Sequence, residues 1–348
     1  MMLTSFLKVF YPGNILVSRI VVVVSLVLII SSGLSCKNEP DKVVFMAGFK
    51  AQANLPFVAA YVAEDKGYFE DQGLEVDIKH ASSGEHLKLL LSGDVDFTTA
   101  AATSVLKRRS DPGLPIVAIA LFGQQSQQAY VSLQDSGINT PKDWEGKTFG
   151  YKISVPPDYL AILEANKVDR SQIKEVSVGF DPRVLTEGKV DILAVFNSNE
   201  PDTIRRLGFS INTWEPEDYG VPNLGLTYVT SEDVIDGKPE MVKRFLKATM
   251  KAMEDIRENP DEAVDVVLKY APNQQREHQE FMLGTELEDA INLSTEENGF
   301  GWMTQDQWSK LYEMLIKFKA LPQTFDYKSS FNNSFLTESY DKGELLWP

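Results

Sequence analysis

The chain has 348 residues, 43% of them hydrophobic, enough for a substantial core spread over about two domains. It carries 34 Lys and Arg against 50 Asp and Glu, a formal net charge of -16. Such a surface repels nucleic acid and anionic membrane and excludes both as partner surfaces; it leaves open the sign of charge inside a small pocket.

The first feature in chain order is an apolar run from Ile20 to Ile30, with Lys8 and Arg19 before it and no acid until Glu39. Its length suits the core of a signal peptide and is short for a membrane span. Small residues follow, Ser31 to Gly33, then Leu34, Ser35 and Cys36. The arrangement resembles a bacterial lipoprotein signal, with Gly33 standing where such signals usually carry Leu. The resemblance implies a signal peptide over residues 1–35, a lipid on Cys36 and a polar tether over 36–42. The bland alternative is an uncleaved anchor with an incidental cysteine. Cys36 is the only cysteine, so no internal disulfide is possible.

Residues 43–49 read as a strand, ended by Gly48-Phe49-Lys50. A helix follows. Phe57, Ala60, Tyr61 and Glu64 share a side at helical spacing, Pro56 sits in the first turn, and Gly67 is placed to stop it. Leu74, Val76 and Ile78 then alternate with charged residues, the pattern of a strand with one buried face. Ser82-Ser83-Gly84 is a turn that opens a helix through His86, Leu87, Leu90 and Leu91. Residues 95–99 read as a brief strand and 100–109 as a helix. The continuous apolar run 115–122 predicts a central parallel strand covered on both faces. Strand and helix alternate here at the spacing of a doubly wound sheet.

A second unit begins near Gly137. Thr140 to Trp144 reads as a capped short helix, 147–151 as a strand, and Pro156-Pro157 opens a helix through Tyr159, Ile162 and Leu163. Strands are expected at 173–178 and 190–196, helices at 181–186 and 200–207. Residues 226–230 are expected to return the chain to the first unit. Residues 238–270 and 304–319 are helical in period, and there is no internal repeat.

Five segments carry a family resemblance. They are Tyr61-Val62-Ala63-Glu64-Asp65-Lys66-Gly67-Tyr68-Phe69 with Gly73-Leu74-Glu75-Val76; Leu91-Ser92-Gly93-Asp94-Val95-Asp96-Phe97; Pro141-Lys142-Asp143-Trp144-Glu145-Gly146-Lys147; Leu185 to Ile192; and Asn199-Glu200-Pro201. In this order they resemble the solute-binding proteins of bacterial ABC importers, in the branch similar to thiamine-pyrimidine synthases and alkanesulfonate-binding proteins. Asn199-Glu200-Pro201, Asp218-Tyr219-Gly220 and Leu224 to Thr227 look most like binders of thiamine-pyrimidine precursors or riboflavin. Where the pyrimidine binders carry Trp-x-Pro-Asn after the first strand, this chain has Gly48 to Asn54. The resemblance implies an α/β, type II periplasmic-binding-protein fold: two doubly wound lobes joined by a two-stranded hinge. Lobe 1 is expected to comprise 43–134 and 226–348, and lobe 2 to comprise 135–225.

Ligands of open α/β sheets sit beyond the carboxyl ends of strands, where helix N-termini offer free N–H groups. The residues at such places are Phe49, Asn54 and Phe57 after the first strand, Ser82, Ser83 and Gly84 after the second, Thr98 and Thr99 at the third, and Gln124 after the fourth. In the second unit they are Tyr151, Tyr159, Asn197, Asn199 and Glu200. Each has a structural reading beside the functional one. Phe57 suits a core, Ser82 to Gly84 a helix cap, Thr98 and Thr99 a strand with satisfied hydroxyls, Asn197 and Asn199 turn geometry, and Glu200 a helix start.

Gly-x-Ser-x-Gly, a phosphate loop and His-Glu-x-x-His are all missing from the sequence, and His80, Glu85 and His86 are a weak metal set. No metal and no cofactor are expected. The resemblance implies a monomeric, exported, lipid-anchored binding protein at the periplasmic or outer face of a bacterial membrane. Its partners would be a small-molecule ligand and the permease and ATPase subunits of an ABC importer, with no nucleic acid. The ligand implied is a heteroaromatic nutrient, a thiamine pyrimidine precursor or riboflavin. The alternatives are an alkanesulfonate, taurine or nitrate binder and, less favoured, a pyrimidine synthase-like enzyme.

Overall fold

The computed structural model describes residues 39–82 and 84–348; the leader, Cys36 and Ser83 lie outside them. The first strand, β1 (Asp41–Ala47), already begins within the stretch expected as tether. It runs parallel to β2 (Leu74–His80) on one side and β3 (Phe97–Ala101) on the other. β10 (Leu226–Ser231) returns as expected and inserts antiparallel between β3 and β4 (Ile116–Leu121), giving the order β2-β1-β3-β10-β4.

β4 corrects the expectation of a central parallel strand. It is buried along its whole length, yet it stands at the end of the sheet and is antiparallel to its neighbour. An unbroken apolar run reports that both faces are covered; it does not report which strands lie alongside. The open edge of β4 is met from the far end of the chain, where Asn332 N–H donates to Ala118 O at 2.9 Å.

Helix α1 (Leu55–Asp65) is buried on all sides from Leu55 to Ala63, so its exposed face is shorter than the sequence pattern implies. It contacts α6 (Pro239–Glu258), α7 (Pro260–Tyr270) and α8 (Arg276–Asp289), which the chain supplies some 180 residues and more later. Phe245 of α6 stacks on Phe97 at 4.1 Å between ring centroids and meets Phe45 and Tyr228 nearby. Such ring pairs add about 0.5–1.5 kcal/mol each beyond the area they bury.

The second sheet has the order β7-β6-β8-β5-β9, built from β5 (Gln128–Leu133), β6 (Thr148–Tyr151), β7 (Lys174–Ser177), β8 (Ile192–Phe196) and β9 (Ile211–Trp214). β6 is parallel to β7 and β8, whereas β5 is antiparallel to β8 and β9. Residues 128–133 therefore pair within the second sheet, although 43–134 had been expected in the first lobe. β5 holds too few residues to show a period, and nothing in its neighbourhood of sequence marks which sheet it joins. α4 (Pro157–Ala165) and α5 (Glu200–Arg206) cover this sheet, and Tyr159 stacks on Phe149 at 4.0 Å. Both sheets are mixed, and the α/β two-lobed class stands.

Two short segments, 122–127 and 221–226, carry the chain between the sheets. They cross in close contact, with Gly225 N–H donating to Gly123 O at 2.9 Å and Phe122 N–H to Leu226 O at 2.8 Å. The Gln127 side chain closes over the crossing and accepts from Leu226 N–H at 2.7 Å. A Cβ on Gly123 would lie 2.6 Å from Gly225 Cα, and one on Gly225 would lie 2.6 Å from Gln127 Cδ. The two glycines are required here by the closeness of the strands rather than by a left-handed backbone. Among the described residues no helix is long and apolar enough to cross a membrane.

Gly123→Ala must push the two crossings apart and is expected to destabilise the protein by about 1–3 kcal/mol in urea unfolding. Gly179→Ala, whose Cβ meets nothing within 4 Å, is the control and should stay within about 0.5 kcal/mol of the parent. Equal stability of the two variants would refute the close-packed crossing.

Candidate ligand-binding seam

The two sheets face each other through the ends of strands and the starts of helices. Asn54 precedes α1 after β1, and Ser198 and Asn199 lie in the turn between β8 and α5. Glu286, on the inward face of α8, joins them. Its Oε1 accepts from Asn54 Nδ2 at 2.5 Å and from Ser198 Oγ at 2.8 Å, and its Oε2 accepts from Leu55 N–H at 2.7 Å. Glu286 is fully buried. About two turns away on α8, His278 sits between Asp202 of α5 (2.7 Å) and Asn199 (3.1 Å). α8 thus bridges the start of α1 on one side and the turn between β8 and α5 on the other.

Two aromatic rings meet from opposite sheets nearer the solvent. Phe49 follows β1 and Phe180 follows β7; their ring centroids are 6.4 Å apart, and they are 41% and 59% exposed. Lys152, after β6, lies 5.6 Å from the Phe180 ring centroid and pairs with Glu200. The other Glu200 oxygen accepts from Phe196 N–H at 2.7 Å, so both are engaged within the chain.

The sequence-derived residues divide accordingly. Asn54, Asn199 and Glu200 come to the seam, with Phe49 at its exposed part and Asn197 beside it, donating to Glu215 at 3.0 Å. Tyr151 is half-buried at the end of β6, next to Phe149. Thr99 Oγ1 accepts from Gly48 N–H at 2.9 Å and is buried under that turn. Phe57, Thr98 and Tyr159 belong to the cores: the first and last are enclosed rings, and Thr98 spends its hydroxyl on Met46 O at 2.6 Å. Gln124 ties the crossing to the C-terminal helices, donating to Leu121 O and Trp302 O and accepting from Asn292 and Gln307. Ser82 and Gly84 are exposed, with Ser82 donating to Glu85. Ser83 and Cys36 lie outside the described residues.

A model of the family described as NMT1/THI5 like matches residues 54–263. The chain belongs to the NMT1/THI5-like family. Similar proteins include the riboflavin-binding protein RibY of Chloroflexus aurantiacus, 27% identical over 81% of this chain and 83% of that one. The formylaminopyrimidine-binding protein of Halalkalibacterium halodurans is also 27% identical, over 78% of this chain and 84% of its own. An enzyme is among them: the 4-amino-5-hydroxymethyl-2-methylpyrimidine phosphate synthase of Schizosaccharomyces pombe is 23% identical over 87% and 88%. Among solved structures, the alkanesulfonate-binding protein SsuA of Xanthomonas axonopodis, bound to MOPS, has a TM-score of 0.65 at 12% identity, covering 85% of this chain and all of that one. At that identity the likeness concerns the fold.

For this NMT1/THI5-like chain, the residues that sequence reasoning missed are chiefly acids. α8 had not been read as a helix, and it carries Glu286 and Asp289. Asp289 is buried and accepts from Gln125 Nε2 at 2.8 Å, while its second oxygen has no partner. Glu217 accepts from Ser126 N–H and likewise keeps one unpartnered oxygen. Burial drives the Glu286 carboxyl up to about 7 against the pull of its donors from Leu55, Ser198 and Asn54, with the Asp289 charge adding to the rise. Burial likewise pushes Glu217 up to about 7 and Asp289 up to about 6. Across the seam, Asp158 of α4 is buried and raised to about 6, with Tyr130, Asn223 and Lys107 facing it.

An acid raised in the folded state binds a proton that the unfolded chain has released. Its contribution is complete below the unfolded value and lost as pH rises through the folded one. Melting temperature is therefore expected to fall from about pH 5 toward pH 8, across the window in which these acids ionise. Glu286→Gln should flatten that slope. Calorimetry that gives a flat parent profile, or equal slopes for both proteins, contradicts the assignment.

Proposed function

We propose that this chain is the extracytoplasmic solute-binding subunit of an ABC importer, and that it closes about its hinge on a small heteroaromatic nutrient, a thiamine pyrimidine precursor or riboflavin. The observation that carries the reading is the pair Phe49 and Phe180. At 6.4 Å and tilted by 39° the exposed rings of opposite lobes lean on each other; parting of the lobes would admit a planar ring between them, and closing would hold it by offset stacking. Asn54, Tyr151, Asn197, Asn199 and Glu200 supply the directed polar groups of the reading. The crossing at Gly123 and Gly225 is the hinge. The two relatives at 27% identity are named as binding proteins for a flavin and an aminopyrimidine, which supports capture over catalysis. Lipidation at Cys36 would hold a monomer at the membrane beside its permease and ATPase.

A thermal-shift panel tests the ligand. Riboflavin or an aminopyrimidine at a hundredfold excess over Kd adds about 2.7 kcal/mol to the folded state, a rise of a few degrees. Stabilisation by taurine or ethanesulfonate alone would rule the heteroaromatic reading out. Phe180→Ala, at an exposed position, should leave melting unchanged and weaken ring binding roughly tenfold, the equivalent of about 1.4 kcal/mol. Cys36→Ser, expressed in a bacterial host, is expected to lose incorporation of labelled palmitate and to leave the membrane fraction; retention there contradicts the anchor.

A further inference from the structure

The start of α1 has the makings of an anion site, since it is an eleven-residue helix whose first amides lie at the carboxyl end of β1. The structure fills that place from within. Ala53 N–H donates to Gln279 Oε1 at 2.8 Å and Leu55 N–H to Glu286 Oε2 at 2.7 Å, both acceptors coming from α8. Pro56 has no N–H to offer. The amides of Phe57 and Val58 close onto Asn54 O at 2.8 and 3.0 Å. The Asn54 amide and the Ser198 hydroxyl, which also point here, end on Glu286 as well.

We propose that Glu286 is a specificity-determining residue: an internal carboxylate that occupies the anion position at the start of α1 and bars sulfonates and other oxyanions from the seam. The inference rests on the reading of the seam as the ligand site and narrows its ligand to neutral or donor-bearing molecules. Three observations support it together. Glu286 is held by three donors from two lobes, so an incoming anion must displace all of them. Asp289 lies close enough on the same helix face to repel a second negative charge. Lys152 and Arg206, cations beside the seam, are already paired with Glu200 and Asp202. α8 lies beyond the residues that the family model matches, so membership of the family does not by itself assign this role.

The test uses ethanesulfonate, with ethanesulfonamide as an uncharged control of the same shape, on the purified protein and on Glu286→Ala and Glu286→Gln. Ethanesulfonate should leave the parent's melting temperature unchanged. It should raise that of Glu286→Ala by several degrees and bind it at least tenfold more tightly, because the sulfonate takes up the donors left open. Glu286→Gln keeps the place filled and should resemble the parent. If Glu286→Ala does not fold, Glu286→Ser, which retains one polar group, carries the same measurement. Sulfonate binding by the parent equal to that of the truncated variant, or no gain in the variant, overturns the proposal. Riboflavin and an aminopyrimidine titrated into the same proteins test the ligand reading separately. If the parent binds neither while the truncated variant gains ethanesulfonate, the heteroaromatic reading fails and the role of Glu286 stands.

Discussion

A carboxylate with no exposed surface joins three stretches of chain that are far apart in sequence. Glu286 holds the start of α1, the Asn54 side chain before it and the Ser198 turn of the other lobe. Its partners Asn54 and Leu55 lie 232 and 231 positions away. Removing the acceptor would leave buried donors open, at about 1–3 kcal/mol for each. Keeping it demands that a charge, or the proton that neutralises it, be housed away from water, and the raised carboxyl is the result of that conflict. The arrangement persists because each of the two oxygens that burial strips of water is met by a donor of the chain. The same contact makes the position of the second lobe felt at the first helix of the first.

The crossing between the sheets obeys a different constraint. Its segments approach so closely that side chains are excluded at Gly123 and Gly225, and Gln127 fills the space over them with both an acceptor and a hydrocarbon stem. The two sheets are thus joined through a short length of chain, while each keeps its own aromatic core. Gln124, Gln125 and Ser126, immediately before that stem, are bound to elements of both sides. The crossing and the polar contacts of the seam are therefore joined through consecutive residues.

The repeating strand–helix order, the return of β10 and the stop at Gly67 were legible because each is a local signal: a period, a cap or a left-handed turn. The placement of β4 and β5 was not, because pairing partners are chosen by the whole sheet. α8 escaped for a chemical reason. The face it buries includes Gln279, Glu286 and Asp289, where a helical pattern is sought in hydrocarbon. Asn54 and Asn199 were found from their positions at strand ends. Phe180 was passed over because a lone aromatic in a polar loop gives no hint that Phe49 stands opposite it.

The distribution of acids bears on what such a fold can hold. Two lobes with helix starts aimed into a common seam make a natural trap for anions, since the amides there carry partial positive charge. This chain supplies an acid there itself, Glu286, with Asp289 near it on the same helix; Asp289, and Glu217 beyond it, each retain an oxygen without a partner. A buried acceptor of that kind is satisfied either by a proton or by a donor from outside. An oxyanion brings only more acceptors. A molecule bearing N–H groups would bring the donors that these oxygens lack.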